Sequence, residues 1–385
     1  MGFFSKTESY LGIDIGANGI KVVELRKNKG RPQLWTYGIV DKAMDVHVHA
    51  SQEKTVEQLL REKEAKRGVV IESNDDKKDP TSLQELVLQD KRIAEYAELL
   101  KILMQKARIQ SRRVTSSLPV SYVFHAILNL PAVDEKQLDG IIKAEIAKMI
   151  PRPIEEMQVV HQKVSPIDPD KKAKYSTYLV TAAPKVLVAF YTAIFQKAGL
   201  QLEELETEAF ALARSLVGKD STVSMVVDVG AERTNFFIID GGVPMTHRSL
   251  QLGGNNIDAI LSQSFGVEID QVKQIKNDMS LQGMNTREDL FLPILDPMAK
   301  EIQYSFDLYL RQSGNEQKRP EKIILTGGGG LFPPIQSYIQ KQFPLRVFIG
   351  DPWARVIYQD GLKPILDELG PRMSVCIGLG LRHFS

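Results

Sequence analysis

Apolar positions open the chain in short alternating runs. Residues 11–15, 20–26 and 33–40 read as three strands, joined by the turns GANG and KNKGRP. Ile93, Tyr96, Leu100, Leu103, Met104 and Ala107 recur at three/four spacing, which predicts a helix over 92–109 with one buried face. The stretch VTSSLPVSYVFHAILNLP is strand-rich. Asp134 then opens a second helix, with Gln137 as its expected capping-box partner. Its apolar stripe is Leu138, Ile141, Ile142, Ile146 and Met149, and Pro151 and Pro153 end it. Strands near 157–164 and 176–182 flank a polar DPDKKAK turn, and a helix over 185–198 stops at Gly199. From Thr222 the strand–turn–strand pattern of the N-terminus returns. Helical periodicity then runs, with breaks, from GGNNIDAILSQSFGV to about Gln312. EKIILTGGGGLFPP is a strand running into glycine, and the final SVCIGLGLRHF suits either a buried helix or a strand.

Residues 51–92 break this order. REKEAKRG and SNDDKKDP mix both charge signs densely, which marks a solvated insertion. The 385 residues favour more than one domain. A net charge of +1 provides no global field toward nucleic acid or anionic lipid. No run of about 18 apolar residues reads as a membrane span. MGFFSKTESY turns polar too soon for a signal peptide, and Lys6 breaks the myristoylation pattern that Gly2 suggests. Phe3 and Phe4 are expected to cap a sheet edge rather than touch a membrane. The single cysteine, Cys376, lies in an apolar run and reads as a core residue in a reducing compartment. His47 and His49 lack partners at zinc spacing.

The recurring pattern is an internal duplication. IDIGANGIKVVEL overlays VDVGAERTNFFII, so that Asp14 matches Asp228, Gly16 matches Gly230 and Ala17 matches Ala231. A carboxylate inside an apolar strand is costly unless something pairs with it. Here each acid leads a glycine turn whose backbone can approach a phosphate closely. An aspartate in that place can hold the cation that neutralises the phosphates, directly or through water, and Mg²⁺ favours few carboxylates and several retained waters. Two such hairpins facing each other would clasp one polyphosphate. One D-x-G alone would be an ordinary turn; the matched pair points to a nucleotide cleft. LTGGGGLF is neither a P-loop nor a dinucleotide fingerprint, since Phe332 stands where a third spaced glycine belongs. It can let a nucleoside lie against bare backbone at a strand end.

These residues resemble the actin-like ATPase superfamily, and more closely the PilM family of type IV pilus assembly. SLPVSYVFHAILNLP, the helix running into IPRPIEEM, and VVDVGAERTNFFIIDGGVPMTHRSLQLGGNNI carry the closer likeness. It spans nearly everything except about 50–92. The resemblance implies an α/β actin-like ATPase fold: two lobes with duplicated β-hairpin/βα cores and an FtsA-like inserted subdomain. It assigns 1–125 plus 199–221 to subdomain 1A, 126–198 to the inserted 1C, 222–251 plus 321–385 to 2A, and 252–320 to 2B. Two helices, 134–150 and 185–198, would cover the small 1C sheet.

Carried over by motif, the first phosphate hairpin is Asp14, Gly16, Ala17 and Asn18, with Lys21 on its second strand. The second is Asp228, Gly230, Ala231 and Glu232. Gly327, Gly328 and Gly329 form the adenosine loop. Asp14 and Asp228 would hold Mg²⁺ through water. Glu208 sits where the superfamily positions the attacking water, with Ala209 replacing the usual following proline. On the ribose side the family pattern of an acid three residues before a lysine gives Lys276, with Lys273 in the acid's place; Asp270 serves under another register. The implied cofactors are ATP and Mg²⁺, with slow hydrolysis or none. The implied partner is the N-terminal segment of a PilN-type inner-membrane protein, in a cytoplasmic scaffold peripheral to that membrane. Other readings of the same fold are a small-molecule kinase, for which the chain offers no evident catalytic aspartate, and a filament-forming protein.

Overall fold

The computed structural model describes residues 8–46, 87, 89–131, 134–164, 175–282, 288–312 and 315–384. Gly2, Phe3, Phe4, Lys6, His47, His49 and nearly all of the charged insertion lie outside them.

The first sheet is built from β1 (Ser9–Gly16), β2 (Gly19–Asn28), β3 (Arg31–Val40), β4 (Arg113–Leu118) and, further along the chain, β8 (Gln201–Thr207). Its order is β3-β2-β1-β4-β8: an antiparallel meander followed by two strands parallel to β1. The second sheet repeats the plan. Strands β9 (Ser224–Val229), β10 (Thr234–Asp240), β11 (Val243–Leu250), β12 (Lys322–Thr326) and β13 (Arg346–Ile349) run in the order β11-β10-β9-β12-β13. The duplication seen in one hairpin therefore extends to the whole sheet.

Helix α1 (Lys91–Lys106) buries Ile93, Tyr96, Leu100, Leu103 and Met104 on the first sheet, as its periodicity requires. It ends three residues earlier than the pattern suggests, with Arg108 in a left-handed conformation (φ 53°). Between β4 and β8 lies a three-stranded sheet, β5 (Phe124–Pro131), β6 (Met157–Val164) and β7 (Tyr175–Pro184), ordered β5-β7-β6. Helix α2 (Glu135–Ala147) covers one of its faces through Ile142 and Ile146. Asp134 caps α2 by accepting from the Lys136 N–H at 3.2 Å, not through the expected box with Gln137. Met149, expected in the stripe, falls beyond the helix end and is 50% exposed.

Helix α3 (Lys185–Lys197) also departs from expectation. Leu187, Phe190, Tyr191, Ile194 and Phe195 enter the core of the first lobe beside α1, so the small sheet has one covering helix rather than two. In the second lobe α5 (Gly254–Phe265), α6 (Ile269–Gln282), α7 (Leu292–Leu310) and α8 (Pro333–Gln342) contribute to the core around β9, β10 and β12.

Two helices exchange partners between the lobes. Helix α4 (Glu208–Leu212), continued by a π-helical turn over Ala213–Val217, leaves β8 of the first sheet and packs on Val226, Phe237, Ile239 and Ile324 of the second. Helix α9 (Lys363–Leu381) follows the second sheet and packs on Val23 and Leu25 of the first. The apolar C-terminal run is thus a helix, and Cys376 is a buried residue within it, its thiol donating to the Gly12 carbonyl. The crossing is tight: a Cβ on Gly378 would lie 1.9 Å from the Ala211 carbonyl oxygen, which only glycine avoids.

Candidate functional site: a cleft between two acid-led hairpins

The two duplicated hairpins open on one cleft of about 750 Å³ between the lobes. The β1–β2 turn contributes Asp14, Gly16, Ala17, Asn18 and Lys21; the β9–β10 turn contributes Asp228, Gly230, Ala231 and Glu232; and Gly327, Gly328, Gly329, Glu208 and Lys276 complete the expected set. Lys273 lies on α6, and its side chain is outside the described residues.

Local rules explain each placement. In the β1–β2 ladder Asp14 lies opposite Lys21, on the same face. Lys21 Nζ donates to Asp14 Oδ2 at 3.0 Å, and the Ser117 hydroxyl from β4 donates to Oδ1 at 3.2 Å. The Ala17 carbonyl accepts from Met44 N–H at 2.8 Å, which fixes the first turn. Burial works against the Lys21 charge, but Asp14 outweighs it and the ammonium pKa rises.

In the second ladder Asp228 lies opposite Asn235. An amide stands where the first hairpin has a lysine. Burial, reinforced by the Asp14 charge, pushes Asp228 up to about 6, against the pull of Lys21 and the Asn235 hydrogen bond. The glycine loop meets this corner directly. Gly327 adopts φ 80°, and a Cβ there would lie 2.5 Å from Asp228 Oδ1. Gly329 N–H donates to the Val229 carbonyl at 2.9 Å, and Gly254 N–H, at the start of α5, donates to the Gly230 carbonyl at 2.8 Å.

Glu208 begins α4, with one side open to the cleft. Val120 N–H, from the turn after β4, donates to its Oε2 at 3.3 Å. Desolvation raises Glu208 to about 8, and the charges of Asp228 and then Asp14 add to the effect. Both aspartates therefore act on one group, as expected of two corners sharing a crevice.

Among the cleft residues outside the expected set are Asp258, Asp41, Arg372 and Asn235. Asp258 accepts from Lys276 Nζ at 2.6 Å, so the lysine's acid partner comes from α5, eighteen residues upstream, instead of from three residues before it. Asp41 and Arg372 form an ion pair at the cleft edge. Asn235 holds the place in the second hairpin that Lys21 holds in the first. No motif marks Asp258, Asp41 or Arg372, because each reaches the cleft through packing of a distant element.

Among solved structures, the chain is similar to one described as a PilM–PilN type IV pilus biogenesis complex, with 22% identity, a TM-score of 0.75 and 98% of each chain covered. It is also similar to the ethanolamine utilization protein EutJ from Carboxydothermus hydrogenoformans, with 14% identity, a TM-score of 0.53, and 97% of this chain and 89% of that one covered. At such identities the likeness is one of fold, the α/β actin-like fold. The family model described as type IV pilus assembly protein PilM matches residues 76–384, beginning inside the charged insertion and running through the small sheet, the second hairpin and the glycine loop. With four-fifths of its length accounted for in this way, the chain belongs to the PilM family of type IV pilus assembly proteins.

Proposed function

We propose that the chain binds Mg-ATP between its lobes and acts as a cytoplasmic scaffold, peripheral to the inner membrane, that holds the N-terminal segment of a PilN-type membrane protein. The observation that carries the nucleotide reading is the pair of acid-led glycine corners opening on one cleft, with Gly327 against the second. No helix among the described residues is long and apolar enough to cross a membrane.

The residues present suit a hydrated magnesium ion. Asp14 acts on Asp228 and both act on Glu208, while Lys21 pairs with Asp14, a concentration of carboxyl groups that a divalent ion would offset. Among the described residues no three Asp, Glu, His or Cys side chains converge to hold an ion directly. Asp14 and Asp228 would therefore hold it through water. Such an ion would neutralise phosphate charge.

The chain's own groups do the rest. Lys21 and the turn backbones at 16–18 and 230–232 would bind phosphate oxygens, and Lys276 with Asp258 would meet the ribose hydroxyls. Glu208 is mostly protonated at neutral pH before a metal ion enters the cleft, and a protonated carboxyl cannot take a proton from water. Slow hydrolysis, or none, is the expectation for the bound state, with Glu208 the group that would have to orient the water. A ligand touching both lobes favours the closed form by its differential affinity. Closure would reach the inserted subdomain where His125 of β5 meets His247 of β11, ring centroids 6.3 Å apart. The partner segment would dock in the groove between the inserted subdomain and the first lobe, by strand addition or groove filling.

Calorimetry with Mg-ATP tests the nucleotide reading. Asp14→Ala and Asp228→Ala should each weaken binding by about 1–3 kcal/mol. Wild-type protein that binds no nucleotide ends this reading. A labelled PilN-type N-terminal peptide, titrated with and without Mg-ATP, tests coupling; equal affinities would leave a scaffold without a switch.

A further inference from the structure

The cleft holds a cation that neither hairpin supplies. Arg372 sits on α9 immediately after Pro371, a proline inside the helix. The Pro371 carbonyl accepts from the Gly327 N–H at 3.0 Å and from the Thr326 hydroxyl at 3.1 Å. This ties the α9 backbone to the glycine loop and fixes where Arg372 begins. Its stem then runs along Gly328: a Cβ on that glycine would meet Arg372 Cγ at 3.6 Å and Cδ at 3.9 Å. The guanidinium ends on Asp41, just past β3 in the first lobe. The two side chains are 27% and 46% exposed, so the pair lies at the cleft mouth. An ion pair that open to water is held weakly and exchanges at little cost.

We propose that Arg372 is a base-contacting residue of the nucleotide site. On binding it leaves Asp41 and lays its planar guanidinium against the base of a nucleotide seated on Gly327–Gly329. The inference rests on the nucleotide reading above and adds a contact to it. The place of the stem favours the base, while the guanidinium in its resting position beside Asp41 is near enough to Lys21 to act on its charge. The phosphate corners are the two hairpin turns, whereas the Arg372 stem lies on the loop assigned to the nucleoside. A planar cation over an aromatic face is a favourable contact, and more so when partly desolvated.

The test compares AMP, ADP, ATP and tripolyphosphate, each with Mg²⁺, on wild type, Arg372→Ala and Arg372→Lys. Arg372→Ala should weaken all three nucleotides about 5- to 30-fold and by the same factor, and leave tripolyphosphate unchanged. Arg372→Lys keeps the stem and charge but not the plane, and should fall between; it also guards against a folding defect in the alanine variant. Asp41→Asn should bind nucleotide as well as wild type or a few-fold tighter. A loss that grows with phosphate number, or no loss, overturns the proposal while the nucleotide reading stands. An Asp41→Asn loss as deep as that of Arg372→Ala also overturns it. Wild-type protein that binds tripolyphosphate but no nucleotide, or neither, ends both.

Discussion

Lys21 and Asn235 hold matching places in the duplicated hairpins, and that one difference sets the two aspartates apart. Asp14 is answered within its own hairpin at 3.0 Å. Asp228 receives only an amide, so its carboxyl, with Glu208, holds protons into the neutral range. The cleft thus stores unfavourable charge that a bound cation would relieve. Glu208→Gln should stabilise the nucleotide-free protein at pH 8 by roughly 1–3 kcal/mol, a figure discounted because the side chain is part-open to the cleft. At pH 5 the gain should nearly vanish, since the wild-type carboxyl is then protonated in the folded state and ionised in the unfolded state over only a narrow window. Urea melts at the two pH values read the difference; equal gains at both would contradict the assignment. The Lys21/Asn235 contrast was visible by aligning the hairpins. Its consequence was not, because it depends on how deeply both strands are buried.

At the scale of elements, amphipathic spacing showed that α1 and α2 each have a buried face, and each does; α3 was expected as a helix over the small sheet and also buries one face. The spacing did not reveal what lies against that face. Leu187, Phe190 and Ile194 carry the same spacing whether they cover a three-stranded sheet or the first lobe, and the choice fell to the lobe. The exchange of α4 and α9 is of the same kind. Its tightest point gives a direct check. Gly378→Ala should cost about 2–3 kcal/mol, because the added methyl meets the Ala211 carbonyl with no side chain able to give way. Gly361→Ala, where nothing lies within 4 Å, should be near neutral. Thermal melts of the two variants distinguish a packing constraint at the lobe crossing from a general intolerance of glycine replacement.

For the whole molecule, two sets of buried groups pull stability in opposite directions with pH. His125 and His247, whose Nε2 atoms are buried without partners, are lowered by burial to about 4 and about 3. The unfolded chain takes up their protons first, so their contribution is full above about 6.5 and is lost as pH falls. Arg248 is the charged neighbour that acts on His247, and it too disfavours protonation. Asp228 and Glu208 are raised, so their contribution is full at low pH and is lost as pH climbs through about 6 and about 8. Nucleotide-free protein should therefore be most stable near pH 6. Saturating Mg-ATP should flatten the alkaline arm and spare the acid arm, because the histidines sit at the β5–β11 junction, away from the phosphate corners. Melting temperatures across pH 4.5–8.5 provide the check; a curve still rising from pH 6 to 8 without ligand would be the wrong shape.

The chain's order of residues settled the duplicated acid-led turns, the glycine loop and the helical faces, because each is a local pattern of residue type against a backbone period. The fold they build and the family were legible from those motifs in sequence. Tertiary structure alone decided that Asp258 partners Lys276, that Arg372 lies along Gly328, and that α9 rather than a strand closes the first sheet. Those outcomes join residues from eighteen to more than three hundred positions apart, and proximity across such distances is created by packing, which no short-range pattern encodes.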